Sequence, residues 1–591
     1  MRGACVLAVL AAAKLAMLPG HTGPVTVWWM AAYGWQDAAV AMVFAACEFG
    51  LRKAGATPRL ALAGYWAVAV YAAINIPVGR AMGTPMTWPM LRAARGPLAD
   101  SILVYVTPTN ALLILLVLSL AATLPFLFER ARRPALKAAA MCGVAVVLLG
   151  PIARHRVDTR GMDRNAVTAL IDTGLPRLSR RAGAGEWRES RFEGRGAEDL
   201  SRFSGAARGL NVVMVSLEST AAQYLALYGG EYDVMPNLGA LSRRALVFEN
   251  AYAVYPESIK GLFSVLCSRF PAFDSVPEAY ENSPCRSLAA VLADAGYRTA
   301  MFHSGRFGYL GMESIIRHRG YGTLEDAGDI GGNHQSSFGV DEPATVARML
   351  AWIDALPHGQ RFFLTYLPIA GHHPYATPEH GPFAGTGEID QYRNALRYGD
   401  VSLGALMEGL RARDLEENTV WVIYGDHGEA FGQHEGNYGH TFFVYEENVH
   451  VPFVIVAPGL MRGQERVRKV VSLVDTAPTI LDLVGIARPA EYQGRSVLDG
   501  APRMALFFAD YSLGLLGLRD REWKFVYEIE GGRMRLFDLE RDAGERRDVA
   551  AEDAARVRWY QRVVRDWSRA QRAGLSAGAA GRSARATKAP M

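Results

Sequence analysis

The sequence predicts a membrane-anchored α/β protein: about five N-terminal transmembrane helices, then an extracytoplasmic domain with a mostly parallel sheet sandwiched by helices. Three observations lead to this prediction. Long apolar runs are confined to residues 1–153. Strand and helix patterns alternate from residue 210 onward, as they do in parallel α/β sheets. Residues with metal-binding side chains follow several of the strands, at the edge where such sheets bind ligands.

The apolar runs are the candidate membrane spans, because a helix needs roughly 20 apolar residues to cross the hydrocarbon core. The first run is short and contains Lys14, so the core of a signal peptide is the alternative for it. Buried helices of a soluble protein are the alternative for the others, which the scarcity of polar residues after Ile102 disfavours. The predicted spans lie near residues 4–19, 25–48, 60–79, 101–128 and 136–153.

Basic residues set the expected orientation of these spans. One short loop contains Arg52, Lys53 and Arg59, and a second contains four basic residues between positions 130 and 137. Since basic loops face the cytoplasm, both loops are predicted to lie inside and everything after residue 153 outside. Three arginines in the 80–100 loop conflict mildly with this orientation.

An outside location is oxidising, and this bears on the cysteines of the globular part. Cys267 and Cys285 are predicted to form a disulfide, with two free buried thiols as the alternative. The formal net charge of the 591-residue chain is only +4, and no basic stripe with interleaved aromatic residues is present. The composition therefore argues against a nucleic-acid partner.

Two segments lack the pattern of a folded core. Residues 154–208 are rich in Arg, Glu and Gly and are predicted to be a linker. This linker either lies as a basic strap on anionic lipid head groups or is simply solvated. Residues 573–591 contain Ala, Gly, Ser and Arg without a pattern, so a disordered tail is predicted there.

The segment VIYGDHGE is the most informative part of the chain. A buried strand ends in a tight turn and presents Asp426 and His427 side by side. A carboxylate and an imidazole are suitable ligands for a transition metal, whereas an Asp that caps a helix beside a packed His is the structural alternative. Further candidates follow other predicted strands, namely Glu218, His303 and His372. Strand ends of a parallel sheet meet at one edge, so these side chains are predicted to converge.

An ordered series of stretches resembles the alkaline phosphatase/sulfatase superfamily over residues 210 to about 565. The apolar head makes the chain similar to the membrane-anchored branch, with lipoteichoic acid synthase and the phosphoethanolamine transferases. Residues 518–550 resemble the small C-terminal antiparallel sheet of sulfatases. The other matching stretches are NVVMVSLES, FENAYAVYPES, GYRTAMFHSG, IAGHHPY, YGDHGEAFGQH, YEENVHVPFVIVAPG, VSLVDTAPTILDLVGI and YQGRSVL.

The resemblance implies a domain plan and a location. The catalytic domain would face the extracytoplasmic side of a bacterial inner membrane that the chain crosses several times. The expected parts are a transmembrane domain at 1–153, the linker at 154–208, a sulfatase-like catalytic domain at 209–503, a C-terminal subdomain at 504–572 and the tail at 573–591.

The resemblance also implies a metal centre and a nucleophile. Glu218, Asp426 and His427 match metal ligands of the family, and Ser258 stands where sulfatases carry a modified cysteine and the transferases a threonine. A divalent cation would lower the pKa of the Ser258 hydroxyl, for which a solvated turn residue is the alternative role. One imidazole among carboxylates favours a single transition ion, zinc or manganese, over calcium.

Six further residues are predicted to bind the substrate. Some match histidines of the family, and the basic ones could hold phosphoryl oxygens. His434 and Lys260 could equally be surface residues, or they could support the residues that contact the substrate. The predicted set is His303, Arg306, His372, His440, Lys260 and His434.

The resulting functional hypothesis is a phosphotransferase. It would move the head group of a membrane phospholipid, of phosphoglycerol or phosphoethanolamine type, through a Ser258 phospho-enzyme to a glycan or lipid acceptor of the cell envelope. Leu310 and Met312 replace the Trp and Arg with which lipoteichoic acid synthases hold glycerol phosphate, which argues against phosphoglycerol.

Two alternatives to this hypothesis are a membrane-bound sulfatase or phosphodiesterase and an inactive lipid-binding regulator. Sulfatases mature their nucleophile to formylglycine within a sequence that contains Pro and Arg. The run Ser258-Ile-Lys-Gly-Leu262 has neither, which opposes a sulfatase. The complete predicted ligand set opposes an inactive regulator.

Overall fold

The computed structural model describes residues 2–21, 25–55, 57–94, 102–129, 133–175, 177, 186–192, 198–332, 339–378 and 381–586. Within this part of the chain, helices come first and the sheets follow. The N-terminal helices are α1 Arg2–Met17, α2 Trp29–Lys53, α3 Pro58–Met82, α4 Trp88–Ala93, α5 Pro108–Glu129, α6 Arg133–Arg156 and α7 Ala166–Gly174.

Each of the five predicted spans coincides with a helix, but the prediction of about five membrane spans is corrected. Among the described residues, only α3 and the Pro108–Phe128 part of α5 are long and apolar enough to cross a membrane. Helix α1 is too short, with 16 residues, and α2 contains two acidic and two basic residues. The side chains of residues 133–139, at the start of α6, lie outside the described residues.

Lys14 shows how a charged residue is accommodated in the apolar helix α1. Its ammonium group is buried and lies 3.0 Å from the Asp37 carboxylate of α2. The same ammonium donates to the backbone oxygens of Tyr33, Asp163 and Arg164. Because all of these partners are themselves buried, the charge is compensated inside the protein.

The main sheet has eight strands in the order β10-β2-β9-β6-β1-β5-β3-β4. All neighbours are parallel except β9, which is antiparallel to both β2 and β6. The prediction of a mostly parallel sheet is therefore confirmed. The strands are β1 Asn211–Leu217, β2 Ala245–Tyr252, β3 Arg298–His303, β4 Thr323–Glu325, β5 Phe362–Leu367, β6 Thr419–Gly425, β9 His450–Val456 and β10 Glu465–Ser472.

Burial on both faces explains why the sequence of the central strand β1 is continuously apolar. All seven of its residues are buried, and their side chains alternate between two cores. Val212 and Met214 pack on one face of the sheet, and Val213 and Val215 pack on the other. A strand covered on both faces has no polar side, as expected for parallel sheets between helix layers.

Helices cover both faces of this sheet. A small antiparallel hairpin follows β6, formed by the two-residue strands β7 Ala430–Phe431 and β8 Tyr438–Gly439. The helices in this part are α8 Pro236–Leu241, α9 Ser258–Cys267, α10 Leu288–Asp294, α11 Glu313–Ile316, α12 Ala327–Ile330, α13 Glu342–Asp354, α14 Glu388–Arg411, α15 Glu446–Val449 and α16 Thr476–Leu483. The predicted disulfide is present, because Cys267 at the end of α9 is bonded to Cys285.

A small antiparallel sheet follows, as the resemblance implies. Its strands are β11 Met504–Ala509, β12 Leu515–Asp520, β13 Trp523–Glu528 and β14 Met534–Asp538, and the long helix α17 Ala554–Ala586 packs on it. Residues 573–586, for which disorder is predicted, continue this helix. The stretch is rich in Ala, which has the highest helix propensity. The remainder of the predicted tail, 587–591, lies outside the described residues.

The predicted linker contacts the protein in its described parts. Arg164 pairs with Glu530, and Arg177 donates to both Asp274 and Glu530. These contacts tie the chain after α6 to the catalytic and C-terminal domains. These basic residues therefore form ion pairs with carboxylates of the same chain. Residues 178–185 and 193–197, the centre of the predicted basic strap, lie outside the described residues.

Candidate metal centre and active site

The carboxyl edge of the main sheet brings together the residues that were predicted from strand ends. Glu218 directly follows β1, and Asp426 and His427 directly follow its neighbour β6. His303 is the last residue of β3, and His372 comes five residues after β5 ends at Leu367. Because β3, β5, β1 and β6 are consecutive in the sheet, these side chains lie along one edge.

Three of these residues form a compact group of possible ligands. One ligand atom from each of Glu218, Asp426 and His427 lies within 4.8 Å of the others. The Nε2 atom of His427 is 3.4 Å from Glu218 Oε1 and 3.5 Å from Asp426 Oδ2. Two carboxylates and an imidazole are a donor set that suits a divalent transition metal.

Backbone contacts orient both residues of the Asp-His pair. The Nδ1 atom of the fully buried His427 lies 3.0 Å from the carbonyl oxygen of Gly428, so Nδ1–H donates there and Nε2 faces the carboxylates. Asp426 Oδ1 accepts from the backbone N–H groups of Ser219 and His427 itself. Oδ2 of Asp426 is then directed toward the centre. Such supporting hydrogen bonds are typical of metal ligands.

The electrostatics of the group also fit a cation. Burial raises the pKa of Asp426, and the nearby charge of Glu218 raises it further, to about 7. Burial lowers the pKa of His427, but Asp426 and Glu218 outweigh this effect and raise it to about 10. The imidazole thus retains a proton in order to balance two buried carboxylates. A divalent ion at the same place would supply that positive charge instead.

Ser258 completes the centre from the other side. It is the first residue of α9, and its Oγ donates to Glu218 Oε2 at 2.8 Å and lies 3.3 Å from His427 Nε2. Glu257 caps the helix by accepting from the N–H groups of Ile259 and Lys260. The hydroxyl therefore lies at the positive end of a helix dipole, where negative charge is stabilised.

The histidines that were predicted to bind substrate are placed differently from one another. His440 is close to the ligands, because its ring centroid is 4.2 Å from that of His427. Burial lowers the pKa of both His303 and His372, which favours their neutral forms. Burial raises the pKa of Glu218, but His427 and, to a smaller extent, His372 and His440 lower it overall, so both of these rings are close to the centre.

His434 lies in a separate cluster. Its Nδ1 is 2.7 Å from Glu447 Oε1, and its ring stacks on Tyr445. With Glu545 these groups could also hold a metal by their distances. However, the buried Lys524 ammonium lies 3.0 Å from Glu545 and already supplies a positive charge there. The geometry connects His434 with the C-terminal domain rather than with Ser258.

The two cationic residues that were predicted to bind substrate form no hydrogen bond with the three possible ligands in the described part of the chain. The Lys260 ammonium donates to both carboxylate oxygens of Asp510, and it lies 3.9 Å from the centre of the Tyr255 ring. Its charge is therefore directed toward the C-terminal domain. Arg306 lies beside α12, and in the described part of the chain it forms no hydrogen bond with Glu218, Asp426 or His427.

Replacing Lys260 by Met should destabilise the protein rather than impair chemistry specifically. Asp510 is buried, and removing one partner of a buried ion pair leaves an uncompensated charge, at about 3–5 kcal/mol. The melting temperature of the full-length protein should fall, and adding Asp510→Asn should restore most of the loss. A stable Lys260→Met variant with a strongly reduced turnover number would instead support the predicted role in catalysis.

Two supporting residues were not identified in the sequence. Glu429, the last residue of GDHGE, is buried and its Oε2 lies 2.8 Å from Nδ1 of His440. Its place in the motif was the available signal. Gly371 is the other, because a Cβ atom at this position would lie only 2.2 Å from the Glu218 carbonyl oxygen. Only glycine lets the chain before His372 approach the metal ligand so closely.

Replacing Gly371 by Ala should therefore disturb the centre. The added methyl group must displace backbone at Glu218, and overpacking of this kind costs about 1–3 kcal/mol. Both the melting temperature and the affinity for added zinc should fall. Gly239→Ala in α8 is a matched control, because no atom lies within 4 Å of its added Cβ. Equal melting temperatures and zinc affinities of Gly371→Ala and Gly239→Ala would show that the close approach of Gly371 to Glu218 is not required.

Comparisons with known proteins agree with this fold. Residues 210–486 match the family model described as Sulfatase. Arylsulfatase K of Mus musculus is 32% identical over 172 residues, which cover 26% of this chain and 31% of that protein. The lipoteichoic acid synthase-like protein YvgJ of Bacillus subtilis is 23% identical over 321 residues, covering 51% of this chain and 52% of that protein. The chain thus spans about a third to a half of the length of these relatives.

A solved structure supports the same conclusion at the level of the fold. A Vibrio parahaemolyticus protein of the alkaline phosphatase superfamily superposes with a TM-score of 0.53 at 18% identity. The match covers 66% of this chain and 90% of that one. Members of this superfamily use a divalent metal, and the residues at the sheet edge could hold one. Residues 210–486 are a domain of the sulfatase family, and the chain is similar both to arylsulfatases and to lipoteichoic acid synthase-like proteins.

Proposed function

We propose that this enzyme is a phosphotransferase that moves a phospholipid head group, of phosphoglycerol or phosphoethanolamine type, to an acceptor in the cell envelope. The observation that carries the proposal is the position of the Ser258 hydroxyl, which contacts Glu218 and His427 at the start of a helix. The acceptor would be a hydroxyl group of a glycan or a lipid.

The residues of the site would have separate chemical roles, metal binding and nucleophilic attack. Glu218, Asp426 and His427 would hold one divalent transition ion, zinc or manganese, which lowers the pKa of a nearby hydroxyl and polarises phosphoryl oxygens. Ser258 Oγ forms a bond to phosphorus as the bond from phosphorus to the diacylglycerol oxygen breaks. The serine proton ends on that oxygen, and diacylglycerol leaves. The acceptor oxygen then attacks phosphorus, the Ser258 bond breaks and the acceptor proton returns to serine.

The surrounding groups favour this sequence of steps. The N-terminus of α9 stabilises negative charge at Ser258 and on the phosphoryl group beside it. The neutral rings of His303 and His372 can donate hydrogen bonds to phosphoryl oxygens or to the leaving oxygen, and the nearby His440 offers a further ring nitrogen. The site is partly enclosed, which strengthens these interactions relative to water.

A membrane location supports the choice of a lipid donor. We place the helical domain in the bacterial inner membrane as a multi-pass anchor, with the catalytic domain on the extracytoplasmic side. The two domains touch directly: Thr84, after α3, lies 2.8 Å from the Ser512 hydroxyl, and Thr87 donates to the backbone oxygen of Tyr511. An enzyme tethered at the bilayer meets its lipid substrate at high effective concentration.

A membrane-bound sulfatase or phosphodiesterase is the second candidate. The sequence identity to arylsulfatase K favours it. The residues after Ser258 oppose a sulfatase, because Lys260 and Leu262 stand where formylglycine maturation needs Pro and Arg. An inactive lipid-binding regulator is opposed by the convergence of all three ligands with Ser258.

The proposal can be tested with the full-length protein in detergent, loaded with zinc or manganese. Head-group-labelled phosphatidylethanolamine, phosphatidylglycerol and an aryl sulfate would be compared as substrates. We expect diacylglycerol release from a phospholipid and no sulfate release. Metal-dependent hydrolysis of the aryl sulfate without diacylglycerol release would show that the enzyme is a sulfatase.

A further inference from the structure

A short apolar segment between the membrane helices and the active site is not explained by the functions described so far. This entrance segment comprises Ile102–Val106 and precedes α5. It forms a tight turn, in which the N–H groups of Tyr105 and Val106 donate to the carbonyl oxygens of Ile102 and Leu103. The backbone therefore gives the segment a defined shape.

The start of α5 holds the entrance segment in place. Thr107 caps the helix, because its Oγ1 accepts from the N–H of Asn110. The Asn110 side chain in turn donates to the carbonyl oxygen of Tyr105 at 2.8 Å. The segment is thus a rigid continuation of a helix that is apolar and long enough to cross a membrane.

The aliphatic side chains of the entrance segment are exposed. Leu103 is 63% exposed and Val106 is 70% exposed, and Ile102 and Val104 are also exposed. Four exposed aliphatic side chains within five residues are unfavourable in water. Since they continue directly into a membrane helix, we expect them to lie in lipid at the bilayer surface.

Tyr105 is directed the other way, toward the metal centre. Its ring is nearly parallel to that of His373, with the centroids 6.2 Å apart. Burial raises the pKa of Tyr105 to about 12, and the nearby carboxylates of Glu388 and Glu429 add to this shift. Glu429 binds His440, whose ring contacts His427. Tyr105 therefore lies at the membrane side of the active site.

We propose that the entrance segment is the surface along which a diacyl phospholipid passes from the bilayer to the metal centre. This inference rests on the proposed function, since it takes a phospholipid as the donor. The exposed aliphatic residues would contact the acyl chains. The Tyr105 ring would position the glycerol ester region, as aromatic side chains do at membrane interfaces. Tyr105 is accordingly a positioning residue for lipid substrates and contributes nothing to the cleavage of small soluble diesters.

The test compares two substrates of the full-length, metal-loaded enzyme. One is a fluorescent phosphatidylethanolamine in phosphatidylethanolamine/phosphatidylglycerol vesicles that contain the protein. The other is bis(p-nitrophenyl) phosphate, which is soluble in water. Tyr105→Ala should lower kcat/KM for the vesicle lipid by about tenfold, mainly through KM, because the ring that positions the lipid is lost; this equals about 1.4 kcal/mol. Its kcat/KM for the soluble diester should stay within about twofold.

Two control variants separate positioning from folding. Tyr105→Phe keeps the ring and should retain the activity on lipid. Leu116→Ala removes an exposed aliphatic side chain of α5 away from the active site and should change neither activity. An equal loss on both substrates for Tyr105→Ala, or no loss on either, would overturn the inference. If the wild type cleaves the soluble diester but no phospholipid, the proposed function fails and the inference fails with it.

Discussion

Replacing Ser258 by alanine should abolish head-group transfer. The variant lacks the oxygen that attacks phosphorus, and loss of a nucleophile typically lowers turnover by about 10³-fold or more. The metal ligands Glu218, Asp426 and His427 are unchanged, so metal content and melting temperature should stay close to those of the wild type. The measurement is diacylglycerol release from labelled phospholipid in proteoliposomes.

Ser264→Ala is a matched control for this prediction. Ser264 lies in the same helix and is buried, and its hydroxyl only donates back to the carbonyl oxygen of Gly261. Its loss removes one hydrogen bond, at about 1 kcal/mol, without touching the centre. Diacylglycerol release that persists in Ser258→Ala would rule out the serine as the nucleophile.

Replacing His427 by alanine should remove the bound metal. The imidazole supplies the nitrogen ligand, and changing even a residue that supports a ligand typically costs 10–100-fold in affinity. We therefore expect at least about a 100-fold loss of affinity for the ligand itself. The metal content after dialysis should fall to background, and added zinc should no longer raise the melting temperature, as it should for the wild type.

The matched control for His427→Ala is His318→Ala. His318 is an exposed histidine outside the metal centre, so its replacement should leave metal content and the response to zinc unchanged. A His427→Ala protein that binds zinc as tightly as the wild type would show that the ion is held elsewhere, for example at His434, Glu447 and Glu545.

The sequence was most informative where chemistry and strand ends coincide. Continuous apolar strands such as β1 predict a sheet covered on both faces, and the polar residues after them then share one edge. This reasoning led to Glu218, Asp426 and His427, which the structure brings within 4.8 Å of one another. Ser258 required the family resemblance, because a serine at a helix start is common and has no chemical signature of its own.

The sequence could not predict in which direction a long side chain extends. Lys260 is only two residues from Ser258, yet its ammonium reaches Asp510, some 250 residues later in the chain. The number of membrane spans was overestimated, because apolar runs in the sequence do not show where a helix ends: α1 has only 16 residues, and α2 includes two acidic and two basic residues. The sequence also could not show that Lys14 pairs with Asp37. The contact between Tyr105 and His373 likewise joins residues that nothing in the sequence relates.

The most direct test of the central claim is the mass of the peptide that contains Ser258. The full-length enzyme would be loaded with zinc or manganese, mixed with phosphatidylethanolamine or phosphatidylglycerol, and stopped with acid. We expect a mass increase equal to one phosphorylated head group, located on Ser258 and absent from Ser258→Ala. A formylglycine at position 258, or steady diacylglycerol release with an unmodified Ser258, would contradict it.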